Sequence, residues 1–224
     1  MSQEKTSFGG WTAEIPRPTV ANLAIALCVL PLFALLERTV RFHPSPVGEI
    51  AFQWGCVAAV VGVAVAIEGC SLADLGVRRP TATDLAYALG TALAAFLVFA
   101  GTDPLVTALG LPTSAGAGAM STGVGIGLAL VRAVTTGVVE EVLYRGYAIE
   151  RLAEYTPRPA IAGGISWGAF TLAHAVVWPI GNLLQVAAVS AAFTLVYLRR
   201  RSLFTVIGSH VLVWCLAVLG HAYG

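Results

Sequence analysis

From about position 19 onward the chain is a succession of apolar runs separated by short polar connections. A bilayer's hydrocarbon core is about 30 Å thick and a helix rises about 1.5 Å per residue, so roughly 20 apolar residues suffice to cross it. On that measure the pattern predicts spans at 19–37, 48–67, 84–102, 122–152, 160–179, 182–198 and 203–222. The run LVTALGL (105–111), bounded by Asp103-Pro104 and Pro112, is too short to cross alone. It reads as a re-entrant or interfacial piece, which leaves seven to eight spans. The small-residue stretch 113–127 reads as a loop leading into a closely packed helix start. The fold class is therefore all-α, a polytopic transmembrane helical bundle. Residues 1–18 form a polar N-terminal segment and 19–224 a single membrane domain.

Composition agrees with that pattern. Of 224 residues 57% are hydrophobic and 11% charged, with a mean hydropathy of +0.81, against about 25% charged in a soluble domain. A formal net charge of +1 gives no basis for a nucleic-acid partner; the partner is the lipid bilayer. The polar start precedes a run long enough to span rather than a short signal-peptide core, so no cleavable signal is expected. Cys28, Cys56, Cys70 and Cys215 have unrelated spacings and read as small core residues. Lys5, Arg17, Arg78, Arg79, Arg158 and Arg199, Arg200 and Arg201 fall on one side of seven alternating spans, Arg38 and Arg41 on the other. Cytoplasmic flanks collect Lys and Arg, so the N-terminus and the arginine triplet are expected in the cytoplasm of a cell (plasma) membrane. Trp11, Trp54, Trp167 and Trp178 suit an interfacial belt, Trp54 and Trp167 equally a core.

Ionisable groups inside spans are costly and are functional suspects by default. Segment 122–152 holds Arg132, Glu140, Glu141, Arg145, Glu150 and Arg151; His174 and His210 lie in later spans, and His43 and His221 near span ends. Glu141 and Arg145 are four apart with the acid first, the favourable order for an ion pair on one helical face. Glu140 lies about 100° round the helix, on a face shared with Thr136 and Gly137, where small residues leave room for another group. A carboxylate in low dielectric without its own cation resists ionisation and is suited to accept a proton. Arg132 has three open readings: snorkelling, pairing with Asp103, or binding a substrate carboxylate. Counted from helix ends near 152, 160 and 203, Glu140 lies about 18 Å, His174 about 21 Å and His210 about 10 Å from the cytoplasmic surface. The three are expected to converge in an intramembrane cavity opening to the cytoplasm.

EEVLYR (Glu140, Glu141, Arg145), FTLAH (Phe170, His174) and the late His210, in that order in a polytopic chain, resemble the CPBP family. These are the CAAX proteases and the bacteriocin-processing or Abi-type intramembrane endopeptidases, whose motifs are EExxxR, FxxxH and HxxxN or HxxxD. The connector 71–85 resembles the LGL-and-basic stretch the family often carries, so the resemblance covers about 70 to 220, with the motifs in a core of about 120–220. The departure is HVLVW, with Trp214 where the family has Asn or Asp. Indole offers one N–H donor and no acceptor, so Trp214 can donate to an oxyanion but cannot ligate a metal. Ser209, Asn182 and Gln185 are candidates to compensate.

The resemblance implies peptide hydrolysis in the membrane on a membrane-anchored protein or peptide, prenylated or C-terminally anchored. Glu140 would be the general base, His174 would hold the attacking water, and His210 with Trp214 would stabilise the oxyanion. Glu141 and Arg145 would support the site, and Phe170 would fix the imidazole of His174. No cofactor is favoured; the alternative is zinc held by Glu140, His174 and His210, which leaves the base unassigned. A different class of reading is a non-proteolytic scaffold or bacteriocin-immunity protein on the same fold, for which Trp214 is the main sequence feature. HExxH, GxGD and GxSG, the marks of other intramembrane proteases, do not occur.

Overall fold

The computed structural model describes residues 14–40, 43–114 and 116–223, without the side chains of 117–119. Lys5, Trp11 and Arg41, and most of the polar N-terminal segment, lie outside the described residues. The described chain is all-helical: α1 (Arg17–Val40), α2 (Pro46–Ala66), α3 (Ala82–Ala108), α4 (Gly116–Ser121), α5 (Ile126–Glu140), a π-helix (Glu141–Ile149), α6 (Glu150–Tyr155), α7 (Pro159–His174), α8 (Ile180–Arg200) and α9 (Leu203–Tyr223).

Local chemistry sets the helix ends. Ser45 caps α2, its hydroxyl accepting from the Gly48 N–H at 3.1 Å, with Pro46 preorganised in the first turn. Thr81 and Asp84 form a reciprocal capping box at α3. Pro159 starts α7, and Arg201, with φ of 49°, ends α8 in the left-handed region and reverses the chain into α9. Gly76, φ +80°, turns the α2–α3 connector so that its carbonyl accepts from Leu203 N–H at 3.0 Å.

Five helices among the described residues, α1, α2, α3, α8 and α9, are long and apolar enough to cross a membrane. The other two expected spans differ. Segment 122–152 is a composite of α5, the π-helix and α6, and it carries the costly charges. Segment 160–179 becomes α7, only 16 residues long, about 24 Å of rise and short of a full crossing. It ends at His174 because residues 175–178 turn towards Pro179. The run 105–111 is mostly not a separate piece: α3 continues through Pro104 to Ala108. The connector after it contains the short α4.

The bundle has two unlike ends. At the arginine end, Asp84 is fully buried and pairs with Arg78 at 2.6 Å and Arg200 at 2.9 Å, while Thr205 donates to it at 3.2 Å. Glu150 accepts from Tyr197 at 2.6 Å and pairs with Arg201. Glu68 takes Asn22 at 2.9 Å, Tyr147 at 2.7 Å and Arg151 at 2.8 Å. These clusters tie the start of α1, the α2–α3 connector, α6 and the α8–α9 turn together. At the far end, Gly181 N–H donates to Pro112 O at 3.0 Å and Ser114 N–H to Asn182 Oδ1 at 2.7 Å. Arg38 there donates to the Val176 carbonyl.

All four cysteines are free; Cys56 and Cys70 are buried and Cys215 partly so, but Cys28 is exposed on α1 rather than in the core. Trp54 and Trp167, both partly exposed, donate to Thr135 at 3.2 Å and to Ala187 O at 2.8 Å. His43 and His221 are exposed.

Candidate active site

The motif EEVLYR straddles the junction of α5 and the π-helix. Wider i→i+5 turns of this kind are frequent at functional sites, and here they alter the angular positions that an ideal α-helix gives from Glu141 onward. The expected pair survives: Arg145 donates to Glu141 Oε1 at 2.9 Å, and both side chains are wholly buried. The pair is not self-contained. His210 Nδ1 lies 2.8 Å from the same Glu141 oxygen, and Arg145 also donates to Ser190 Oγ at 2.6 Å. The guanidinium stacks over Phe170, 4.3 Å from the ring centroid. Arg145 thus spans α8, α7 and Glu141, and Glu141 reaches α9.

Glu140 is the carboxylate left over, as the sequence suggested. His174 Nε2 lies 3.9 Å from its Oε1 and His210 Nε2 3.9 Å from its Oε2. Side chains from three segments converge there. The approach of α9 depends on Gly137, where a Cβ would stand 2.9 Å from Val211 Cγ2 and 3.0 Å from the Val211 nitrogen. Small residues before Glu140 do leave room for another element, and that element is α9.

The hydrogen bonds define both imidazoles. His174 Nδ1 is 2.8 Å from the Phe170 carbonyl, which can only accept; Nδ1 therefore carries the proton. In the neutral ring Nε2 turns a lone pair towards Glu140. The Phe170 ring packs on this imidazole, its centroid 4.3 Å away, and is itself set edge-on to Tyr144. In His210, Nε2 is 3.0 Å from Trp214 Nε1, whose N–H can only donate. Nε2 accepts, and Nδ1–H donates to Glu141. Trp214 closes a chain running Arg145, Glu141, His210, Trp214.

This arrangement tests the zinc set. Glu140 and His174 Nε2 face each other with free acceptor capacity, but the indole N–H occupies the His210 lone pair that a metal would need. Among the described residues no group of three or more His, Cys, Asp or Glu side chains is arranged to hold a metal. The donors Glu140, His174 and His210 do not fit zinc in this arrangement.

Two cavities meet at His174. One, about 330 Å³, is mainly apolar, walled by Phe96, Phe99, Phe193, Val213 and Trp178, with Arg145, His174, His210 and Trp214 on its site-facing side. The other, about 300 Å³, is of mixed lining, its polar part made by Glu37, Glu49, Gln53 and Arg132 together with Glu140 and His174. Both lie in the half of the bundle towards the far end. The expected opening towards the arginine triplet is therefore not where these two cavities lie; the ion clusters and α6 occupy that end, and a shallow third cavity there, between the start of α3 and α8, is lined by none of the site residues.

Arg132 pairs with Glu49 at 3.0 Å and donates to Met120 O at 3.2 Å, so its partner is neither Asp103 nor open space. Ser209 is used up structurally, its single hydroxyl proton shared between Ala88 O and Thr205 O, and Asn182 is bonded to Ser114. Gln185 lines the apolar cavity. Trp178, read as a belt residue, instead lines the apolar cavity; Ser190 was not foreseen, since an isolated serine in an apolar helix carries no local signal and only the fold shows that Arg145 needs it.

Residues 122–216 match the family model described as Rce1-like: Type II CAAX prenyl endopeptidase Rce1-like. No curated protein and no solved structure matches the chain. The matched stretch, which is under half of the chain, holds Glu140, Glu141, Arg145, Phe170, His174, His210 and Trp214, and the match is consistent with the CPBP-family CAAX proteases.

Proposed function

We propose that this multi-pass membrane protein is a glutamate-dependent intramembrane endopeptidase acting on a membrane-anchored protein or peptide. The observation that carries the proposal is the placing of Glu140 3.9 Å from the Nε2 atoms of both His174 and His210. A water between Glu140 and His174 Nε2 donates one hydrogen to each, which leaves an oxygen lone pair for the scissile carbonyl. Glu140 takes the proton as the water attacks and returns it to the leaving amine. The oxyanion forms on the side of His210 and Trp214. The arriving oxygen replaces His210 Nε2 as acceptor of the indole N–H, while His210 Nδ1–H stays on Glu141 and holds the ring beside it. The apolar cavity receives the substrate's apolar side chains or anchor. The site's residues are a plasma-membrane peptidase's working parts, and the arginine end faces the cytoplasm with the N-terminus.

A non-catalytic scaffold reading draws on one observation, the capping of His210 by Trp214. Cleavage of a quenched, membrane-anchored peptide by the detergent-purified protein separates the two. Glu140→Ala and His174→Ala each lower the rate by about 10²- to 10⁴-fold, the usual worth of a positioned acid–base group. Full cleavage by Glu140→Ala sinks the mechanism.

A further inference from the structure

The position of the two cavities relative to the arginine end carries a consequence for the substrate. The α8–α9 turn, the α2–α3 connector, the α6–α7 turn and the start of α1 all lie at one end, joined by the Asp84, Glu150 and Glu68 clusters. The lining residues nearest that end, Phe193 on α8 and His210 on α9, are each seven positions from their helix terminus, about 10 Å along the axis. The rim at the other extreme comes from the far-end connections: Gly116, Trp178 and Asn182 for the apolar cavity, Glu37 and Glu49 for the mixed one. Helix α7 starts at the arginine end and stops at His174, and its 16 residues are too short to close the far half.

We infer that the active site is entered from the end opposite the arginine clusters, so that its substrate is a membrane-anchored polypeptide whose scissile bond is presented on the extracytoplasmic side. The step from end to compartment is the excess of Lys and Arg in cytoplasmic loops, a rule on which paired acids have little influence. Here Arg78, Arg79, Arg158 and Arg199–Arg201 share one end, against Arg38 at the other, among the described residues of the connections and helix ends. The acids at the far mouth, Glu37 and Glu49, carry no such orienting weight. The substrate class rests on the peptidase reading; the direction of entry does not.

The test uses the full chain with its native cysteines replaced by alanine and one reporter cysteine at a time. Ser114→Cys and Thr113→Cys sit on exposed backbone at the far mouth, Arg79→Cys on the exposed connector at the arginine end. The expected result in intact cells is labelling of the two mouth reporters by a membrane-impermeant maleimide, with Arg79→Cys labelled only after permeabilisation. The reverse pattern, labelling of all three in intact cells, or labelling of neither mouth reporter until detergent is added, overturns the inference. A second arm places the quenched anchored peptide on one face of sealed, orientation-sorted proteoliposomes. Cleavage is expected only from the far face, with loss of signal when the peptide is on the arginine face. Cleavage only from the arginine face overturns the entry while leaving the peptidase intact. No cleavage even in detergent removes the peptidase reading, and the labelling pattern still decides the direction of entry.

Discussion

His210 Nδ1 lies 2.8 Å from Glu141 Oε1, the oxygen that also takes Arg145 at 2.9 Å. Glu141 is thereby the joint between a structural cation and a ring of the site. Replacing it with glutamine keeps the shape but strands the wholly buried Arg145, a loss of about 3–5 kcal/mol for a broken buried pair. The expected outcome for Glu141→Gln is a markedly lower unfolding temperature in detergent and strongly reduced cleavage. Adding Arg145→Met restores much of the stability without restoring cleavage, because His210 still lacks its carboxylate. Recovery of both together would show that Glu141 acts on the site through folding alone.

Trp214 is the point at which this chain departs from the motif it otherwise resembles, and its N–H reaches His210 Nε2 at 3.0 Å. Trp214→Phe keeps the ring that borders the apolar cavity and removes only the donor. Loss of one oxyanion donor costs about 10²- to 10³-fold in rate, so cleavage by Trp214→Phe is expected to fall by that order with little change in unfolding temperature. Trp214→Asn supplies an amide N–H from the same helical position and is expected to retain more activity than the Phe variant. Wild-type rates in Trp214→Phe would remove the indole from the mechanism.

Much of the helical bundle and some of the candidate site's geometry were legible in the sequence, for different reasons. Hydrophobic runs report the bilayer directly, and five of them become helices long and apolar enough to span. Periodicity cannot report where α7 stops, because the apolar character of 175–178 continues past the turn that frees His174. Glu140 was separable from Glu141 by spacing, since the i,i+4 pair with Arg145 is a local property. The second partner of Glu141 was not, because His210 is 69 positions away and meets it only through the α5–α9 contact. The direction of the cavity was lost for a similar reason. Depth counted along single helices places residues between two surfaces but does not say which end the packed side chains close.

That α5–α9 contact is itself open to test. A methyl group at Gly137 meets Val211 side chain and backbone at 2.9 and 3.0 Å, so α9 must move by some tenths of an ångström. Overpacking of this kind costs about 1–3 kcal/mol, partly offset by alanine's better helix propensity, up to about 1 kcal/mol. Gly137→Ala is expected to lose cleavage out of proportion to its small change in unfolding temperature, because the shift separates His210 from Glu140 and Glu141. Gly127→Ala, on the same helix with nothing within 4 Å of the added carbon, is the control and retains wild-type activity. Equal behaviour of the two variants would mean that the helix spacing is not critical to the site.

The indole bond also bears on metal dependence. Zinc ligation needs the imidazole lone pair, and in His210 that pair accepts from Trp214 while Nδ1–H is committed to Glu141. The wild-type protein, equilibrated with zinc and then dialysed, is therefore expected to hold no stoichiometric metal by elemental analysis, and its cleavage rate is expected to be unchanged by a chelator. Trp214→Phe uncovers the lone pair beside Glu140 and His174, completing a set of two imidazoles and one carboxylate with an open position. Zinc retention is expected to appear in that variant and to depend on His174, disappearing in Trp214→Phe/His174→Ala. One bound zinc in the wild type, with activity lost to the chelator and regained on adding zinc, would show that the indole yields to the metal and would overturn the glutamate-only mechanism.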